Sequence, residues 1–455
     1  MGIDILEKLN ERQKEAVTYI NGPLLVLAGA GSGKTRVLTT RIAYMIGEGI
    51  SPDNILAITF TNKAAGEMKD RIYKLIGYSA RSMQISTFHS FGLKIIKENY
   101  DILGYDKNFL IFDSDDSLTI VKKICKDKNI DTNKFNPRMI RNKISSLKND
   151  LVTPSMYKQR VCDEFDNIIS KVYTKYEDTL IKNNSLDFDD LLILPIKLFK
   201  ERKDILESYQ GQYKYILIDE YQDTNEAQYI LTKLLSSKYK NICCVGDADQ
   251  AIYGFRGARP DILVNLANSK ETYTYRIKRN YRNGGEILAF AKEKLLNGGP
   301  WDDSIAMSDD MGKVYRMADT PSTIIRLIKD TKDSDYKDWF ILGRTNEIVD
   351  RIVMELQAAQ IPCDTFKMAG KTAQELHDIV ESNSVKVLTI HTSKGLEAKN
   401  VIVIGTRNKG YDEEENRLNY VAATRAKKRL FWTYPAPKQF TKKKKESNGT
   451  KNWER

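Results

Sequence analysis

Residues 24–36, LLVLAGAGSGKTR, carry the first chemistry the chain offers, because a short apolar run is followed by small residues and then Lys34 and Thr35. Ala28, Gly29, Ala30, Gly31, Ser32 and Gly33 let backbone N–H groups converge on phosphate oxygens at the positive end of a following helix. Lys34 would reach the β and γ phosphates of a nucleotide, and the Thr35 hydroxyl would hold Mg²⁺. The strict pattern opens on glycine; Ala28 stands there instead and is still small enough for the turn. The plainer alternative is a glycine-rich turn without a ligand. A second constellation follows the apolar run 215–218, where Asp219 and Glu220 are adjacent. Paired carboxylates are costly unless something cationic or catalytic uses them. Asp219 suits a Mg²⁺ ligand, and Glu220 a base that deprotonates the attacking water. Gln250, at the end of GDADQ, is a candidate γ-phosphate sensor, since an amide donates to phosphate and accepts from water.

Such residues need strands that end together. The unbroken apolar run 24–27 predicts a parallel strand covered on both faces. Leu9, Asn10, Gln13, Ala16 and Val17 have helical spacing before it, with Asn10 or Glu11 at the helix start. A helix over 37–46 and a strand over 55–60 come next, then a helix capped by Thr61 or Asn62. Phe60 sits at a strand's carboxyl end, where α/β proteins place binding residues, although a core position suits it equally. Short strand character recurs at 84–87, before Phe88, His89, Ser90 and Phe91, and again at 242–245.

From about 92 to 205 a Lys-, Asp- and Asn-rich helical texture predicts an insertion; within it Asp187, Asp189 and Asp190 read as an acidic helix start. A second α/β unit is expected from Tyr273, with strands over 339–342, 385–390 and 401–404. The division is therefore 1–92 and 206–272 for the first unit, 93–205 for the insertion, 273–435 for the second unit, and 436–455 for a basic, disordered tail.

At 455 residues the chain can bury cores for two to four domains. Lys and Arg outnumber Asp and Glu by 72 to 61, giving +11, which fits an anionic partner or simply a soluble basic surface. Five cysteines without CxxC spacing and three scattered histidines argue against a zinc site and a disulfide framework, and for a reducing, cytoplasmic home. No secretion signal and no apolar run of about 18–20 residues is present, so a soluble protein without membrane partners is expected.

Taken in order, these motifs resemble the UvrD/Rep family of superfamily 1 DNA helicases across nearly the whole chain. Leu9-Asn10-x-x-Gln13 resembles its adenine-reading segment, which implies that Gln13 bonds the base with Arg36 nearby. TFTNKAAGEM (59–68) and STFHSFG (86–92) resemble strand-contacting segments, implicating Phe60, Asn62 and His89. LIDEYQDTN (217–225) and VGDADQAIYGFRGA (245–258) resemble the hydrolysis and coupling motifs, the latter bringing Tyr253, Phe255 and Arg256. Asn280-Tyr281-Arg282 is similar to the fourth motif, implying that Tyr281 stacks on adenine and Arg282 reaches the γ-phosphate. LTIHTSKGLE (388–397) is similar to the fifth, with His391 on the strand and Glu397 near the ribose, and RLNYVAATRAKK (417–428) to the sixth, with Arg425 as arginine finger.

The resemblance implies two RecA-like P-loop domains with a helical insertion in the first, closing on ATP and Mg²⁺ so that Arg282 and Arg425 meet the developing charge. It also implies 3′-to-5′ movement on single-stranded and tailed duplex DNA, single-strand-binding or replication proteins as partners, and a monomer or weak oligomer. A translocase that strips proteins, and a nucleotide-gated binding subunit with little turnover, are the alternatives; intact Glu220, Gln250, Arg282 and Arg425 argue against the latter. The family pattern carries Trp at Phe255 and an aromatic residue at Ala398, and it inserts a helical subdomain where this chain has only residues 367–384.

Overall fold

The computed structural model describes residues 4–77, 82–294, 304–330, 335–365, 379, 381–406 and 412–434. Through Ile277 the strands are β1 (Leu24–Ala28), β2 (Ile55–Thr59), β3 (Gln84–Thr87), β4 (Leu110–Phe112), β5 (Ser185–Asp187), β6 (Tyr215–Ile218), β7 (Ile242–Gly246) and β8 (Tyr273–Ile277). Six of these form one parallel sheet in the order β3-β2-β6-β7-β1-β8. β1 and β2 are buried at every residue, hence their continuous apolar sequences LLVLA and ILAIT. Leu25 and Leu27 enter the core on one face, Leu24 and Val26 the core on the other. Because β6, β7 and β1 are neighbours, their carboxyl ends bring the Asp219 turn, the Asp247 turn and the glycine loop side by side.

Beyond β8, β9 (Arg279–Asn280) and β10 (Ile305–Ala306) make a short parallel pair. Then β11 (Lys313–Ala318), β12 (Trp339–Gly343), β13 (Cys363–Asp364), β14 (Val385–Thr389), β15 (Ala398–Ile404) and β16 (Ala426–Tyr434) form a second parallel sheet, ordered β11-β16-β15-β12-β14-β13. Its core cluster also takes in Ala30 and Ile252 from the first unit's loops, so the two sheets meet through apolar contact.

The structure moves three boundaries or assignments. The second unit does not open at Tyr273: β8 pairs with β1, Leu24 facing Tyr273 and Ala28 facing Ile277, and the chain leaves the first sheet only after Ile277. Outward Tyr273 and Arg276 are what an edge strand shows, and they hid its membership. The stretch 93–205 is likewise divided. Helices Ser114–Asp127, Pro137–Asn149 and Glu164–Lys182 share a core of their own around Val121, Ile140, Ile169 and Tyr176, with β4 paired to β5. Helix Asp190–Glu201 instead joins the first sheet's core, where Leu192, Ile196 and Phe199 cluster with Phe88, Phe91 and Ile95.

Third, Asp187 and Asp190 are not an open acidic helix start. Both are buried against Lys148, whose Nζ lies 2.9 Å from Asp187, 2.7 Å from Asp190 and 2.9 Å from Glu177. Burial disfavours the ammonium, but the three carboxylates outweigh it and hold Lys148 well above the usual lysine range. No helix among the described residues is long and apolar enough to cross a membrane, and the basic stretch 436–455 lies outside those residues.

Helices Phe88–Glu98 and Asp190–Glu201 approach so closely that a Cβ on Gly92 would fall inside the Leu191 carbonyl. Gly66, exposed on helix Asn62–Ile76, has no neighbour within 4 Å of its virtual Cβ. Gly92→Ala is therefore expected to destabilise by about 1–3 kcal/mol, and Gly66→Ala to stabilise by about 0.5–1 kcal/mol. Urea midpoints of the two variants check this; a Gly92→Ala midpoint that does not fall would deny the close helix contact.

Candidate nucleotide and strand-binding site

The glycine loop closes on itself and on the chain beyond the first sheet. Gly31 and Gly33 take the left-handed backbone that glycine favours, with φ of 67° and 85°. A Cβ on Gly31 would stand 2.5 Å from Arg282 Cβ and 2.9 Å from Asn280 Oδ1, so that glycine is what lets the fourth motif sit against the loop. Asn280 donates from Nδ2 to the Ala30 carbonyl (2.8 Å), and the Tyr281 N–H to the Gly31 carbonyl (2.9 Å). Lys34 Nζ donates to the Ala28 carbonyl at 3.1 Å, spanning the bowl of the loop.

The residues expected around an adenine gather beside it. Asn10 caps helix Glu11–Thr18 with a reciprocal Asn10–Gln13 capping box. Gln13 Nε2 donates to the Ser32 carbonyl (3.0 Å), and Asn10 Nδ2 to the Tyr281 hydroxyl (2.9 Å). Tyr281 keeps half its surface exposed. Arg36, on the next turn, points outward.

On the acidic side, Thr35 Oγ1 donates to Asp219 Oδ2 at 3.4 Å. Burial, with Glu220 adding to it, raises Asp219 to about 6. Burial also pushes Glu220 upward, but Lys394 and then Lys34 overcome it and hold that carboxyl at about 2. Glu220 has left-handed backbone, φ 51°, a strained conformation for a residue with a Cβ, and its carboxylate meets Gln222 and Lys394. Gln222 joins the two turns, donating to Glu220 Oε2 (2.5 Å) and accepting from the Asp247 N–H (2.9 Å). Gln250 is buried and donates to Asp247. A hydroxyl, a buried carboxyl and a lysine around a glycine cradle suit a phosphate chain with a hard, oxygen-liganded divalent cation.

Lys394, which the sequence reading passed over inside the fifth motif, reaches from the second sheet into this loop. Its Nζ pairs with Asp223, donates to the Gln250 carbonyl (2.8 Å) and lies 3.8 Å from Glu220. The charge opposes burial and wins: Asp223 and Glu220 raise Lys394 above its usual value. Only its place between His391 and Glu397 hinted at it; Asp223 lies 171 residues away in the chain.

Three more cations from beyond β8 also gather there. Arg282 Nε is 2.5 Å from Glu397 Oε2, and Lys427 Nζ is 2.5 Å from Glu397 Oε1. Arg425 is buried, donating to the carbonyls of Val421 (3.0 Å) and Leu396 (3.1 Å). Burial and the like charge of Arg282 lower it to about 9, and Glu220 is near enough to pull the other way.

The residues expected on a strand form a strip of rings across both units. Phe60 stacks on Tyr253 (5.5 Å, 17°), Tyr253 leans on Phe255 (6.0 Å), and Phe255 meets His391 edge-on (5.2 Å). Arg256 lies over Tyr253 and Phe255 at 5.0 and 5.5 Å. Phe60 is thus a partly exposed ring of the strip rather than core. His89 packs on Phe188 (5.5 Å) across a groove of about 680 Å³ that also holds Phe60, Phe255 and Arg256. Asn62 flanks it, accepting from Ser90 Oγ at 3.4 Å. Burial lowers both His89 and His391 to about 4, so both rings are neutral at neutral pH.

Two parallel α/β sheets that meet over a glycine loop, an acid pair and cations from the far sheet define a P-loop protein with two RecA-like units. Residues 9–271 match the UvrD/REP helicase N-terminal domain and residues 367–436 the UvrD-like helicase C-terminal domain, and the chain belongs to this helicase family. It is 39% identical over 427 residues to the ATP-dependent DNA helicase PcrA of Staphylococcus aureus (strain Mu50), covering 91% of this chain and 58% of that protein. To PcrA of Bacillus subtilis (strain 168) it is 47% identical over 298 residues, 64% of this chain and 40% of the relative. The chain thus spans less than two thirds of these relatives' length.

Burial, with Glu220 adding and Lys394 opposing, raises Asp223 to about 7. The folded chain therefore keeps a proton that the unfolded chain releases near the ordinary aspartate value. This group's contribution to stability falls as pH climbs from about 4 to about 7, and is flat above. Melting temperatures between pH 5 and 8 should show that slope, and Asp223→Asn should make it shallower, most clearly above pH 6, where Asp219, raised to about 6, adds little; an unchanged slope in the variant would place the titration elsewhere.

Proposed function

We propose that this chain hydrolyses ATP to move 3′ to 5′ along single-stranded DNA, separating duplex as it advances. The observation that carries the reading is the strip Phe60, Tyr253, Phe255 and His391, because Lys394 Nζ lies 5.2 Å from the Tyr253 ring while paired with Asp223. Strand platform and hydrolysis loop thus share one cation. The relatives' own description as ATP-dependent DNA helicases supports it.

In this mechanism the loop 28–33 and Lys34 hold the phosphates, Thr35 and Asp219 hold Mg²⁺, and Tyr281 with Gln13 seats the base. The cation, when bound, supplies charge neutralisation at the phosphates. Glu220, kept ionised by Lys394 and Lys34, accepts the proton of the attacking water, with Gln250 orienting that water. Arg282 and Arg425 approach the developing charge as the sheets close. Glu397, paired with Arg282 and Lys427, takes the ribose in this reading. Rings stack on bases without regard to sequence, about 1–3 kcal/mol each, which suits a motor that walks over any strand.

β13 and β14 are adjacent, and 20 residues connect Asp364 to Val385, much of that connection (366–378 and 380) lying outside the described residues. Without a helical subdomain there, affinity rests on phosphate contacts and falls steeply with salt, and one molecule opens long duplexes poorly. A monomer meeting single-strand-binding or replication proteins in the cytoplasm fits this reading.

Lys34→Ala is expected to abolish turnover while the chain still folds, with a modest fall in melting temperature from the lost bond to the Ala28 carbonyl and the lost cation beside Glu220. Glu220→Gln should keep nucleotide binding and lose about 10²-fold or more in turnover. Phe255, 66% exposed, should tolerate truncation to Ala in stability yet lose much of the oligonucleotide stimulation. Strand displacement on 3′- and 5′-tailed duplexes tests the direction, and no ATP-dependent displacement of either would reduce the chain to a translocase.

A further inference from the structure

The insertion meets the loop carrying Glu220 through Asn149, the last residue of helix Pro137–Asn149. Asn149 Nδ2 donates to the Ser145 carbonyl (2.8 Å) and to Asp189 Oδ1 (2.7 Å), and its Oδ1 accepts from Asn225 Nδ2 (2.7 Å). Both amide protons and the carbonyl are therefore committed, to partners on three separate elements. Asn225 is the N-cap of helix Glu226–Ser236 and forms a capping box with Gln228. Two residues earlier stands Asp223, whose N–H donates to the Glu220 carbonyl (3.0 Å). Next to Asn149, buried Lys148 pins the same turn to Asp187, Asp190 and Glu177. The helix end cannot shift without moving that cap.

This joint is also the floor of the groove. Asn149, Asp189 and Asn225 line it, and Arg141 of the same helix faces it together with Phe255 and Arg256. A strand whose phosphates draw on Arg141 and Arg256 pulls the insertion helix toward the ring strip, and the pull arrives at Asn225.

We propose that Asn149 is a positioning residue that makes strand occupancy of the groove felt at Glu220, by clamping the insertion to the cap that follows the hydrolysis loop. This rests on the reading of the chain as a strand-stimulated ATPase. The Asn149–Asn225 and Asp223–Glu220 hydrogen bonds, joined by the backbone from 223 to 225, give the coupling a physical route, and double-mutant behaviour is its proper measure.

The test titrates ATP turnover with an oligothymidylate in the wild type, Asn149→Ala and Asn225→Ser. Ser retains an N-cap hydroxyl but is too short to reach residue 149. Each variant is expected to lose about five-fold or more of the stimulated-to-basal ratio, with half-saturating oligonucleotide moving less than about three-fold and the double variant no worse than either single. A ratio left intact, whether or not both rates fall together, overturns the proposal, as does a loss confined to half-saturation, which would make Asn149 a strand contact. Additive losses in the double variant overturn it too. A wild type without stimulation defeats the functional reading itself, and the clamp with it.

Discussion

A lysine from the second sheet decides how the acids of the first share their protons. Asp219, Glu220 and Asp223 fall within five residues at the end of β6, and three carboxylates in a desolvated turn cannot all ionise. Lys394 pairs with Asp223 and stands 3.8 Å from Glu220. Two unit charges about 4 Å apart interact by a few kcal/mol even at an effective dielectric near 20. That is enough to leave Glu220 ionised at about 2 while Asp219 and Asp223 rise to about 6 and 7. The ionisation of Glu220 and Asp223 therefore depends on the second sheet, whose Lys394 is the largest cationic influence on both, with Lys34 of the first unit acting on all three acids.

The same dependence appears in packing. Asn280 and Tyr281 bond the carbonyls of Ala30 and Gly31, and Ala30 with Ile252 is buried in the second sheet's core. The glycine loop is thus held from both sides. Its carbonyls at Ala28, Ala30 and Gly31 are taken by Lys34, Asn280 and the Tyr281 N–H, and its left-handed glycines give it the turn that brings these partners together. The ring strip crosses the same seam, with Phe60 contributed by β2's end and His391 by β14's.

What the sequence made legible was chemistry confined to consecutive residues. A phosphate cradle needs small residues, lysine and a hydroxyl in immediate succession, and the strands before it are apolar because both faces are covered, so residues 24–36 and the Asp219-Glu220 pair could be read directly. Partners far apart in the chain could not. Lys148 meets Asp187 across 39 residues, and Lys394 meets Asp223 across 171, so the acids at 187–190 looked like a solvated helix start and Lys394 like one more motif lysine. β8 was misplaced for a related reason: Tyr273 and Arg276 face outward at the sheet's edge, and nothing local says which sheet an edge strand closes. The left-handed backbone of Glu220 was equally hidden, because it is imposed by the loop's partners and not by the residue's own preference.

The short connection between β13 and β14 raises a last question of closure, since two adjacent parallel strands must be bridged by a crossover that carries its own polar groups. Lys386, on β14, is buried, and the three N–H groups of its ammonium are shared among four oxygens within reach, the carbonyl and hydroxyl of Ser382 and of Ser384. Ser382 passes the interaction on, donating to Asp364 Oδ2 at 2.6 Å, and Ser384 donates to the same oxygen. Burial lowers the Lys386 ammonium, and Asp364 and Glu381 pull it back up. The relay from lysine through two hydroxyls to a carboxylate ties the two ends of the connection together, with each step a charge-assisted hydrogen bond of the stronger kind. A buried cation satisfied by neutral oxygens alone would be expensive; the carboxylate at the far end makes it tolerable. The second sheet is therefore held at β13 by polar contacts from the residues just before β14.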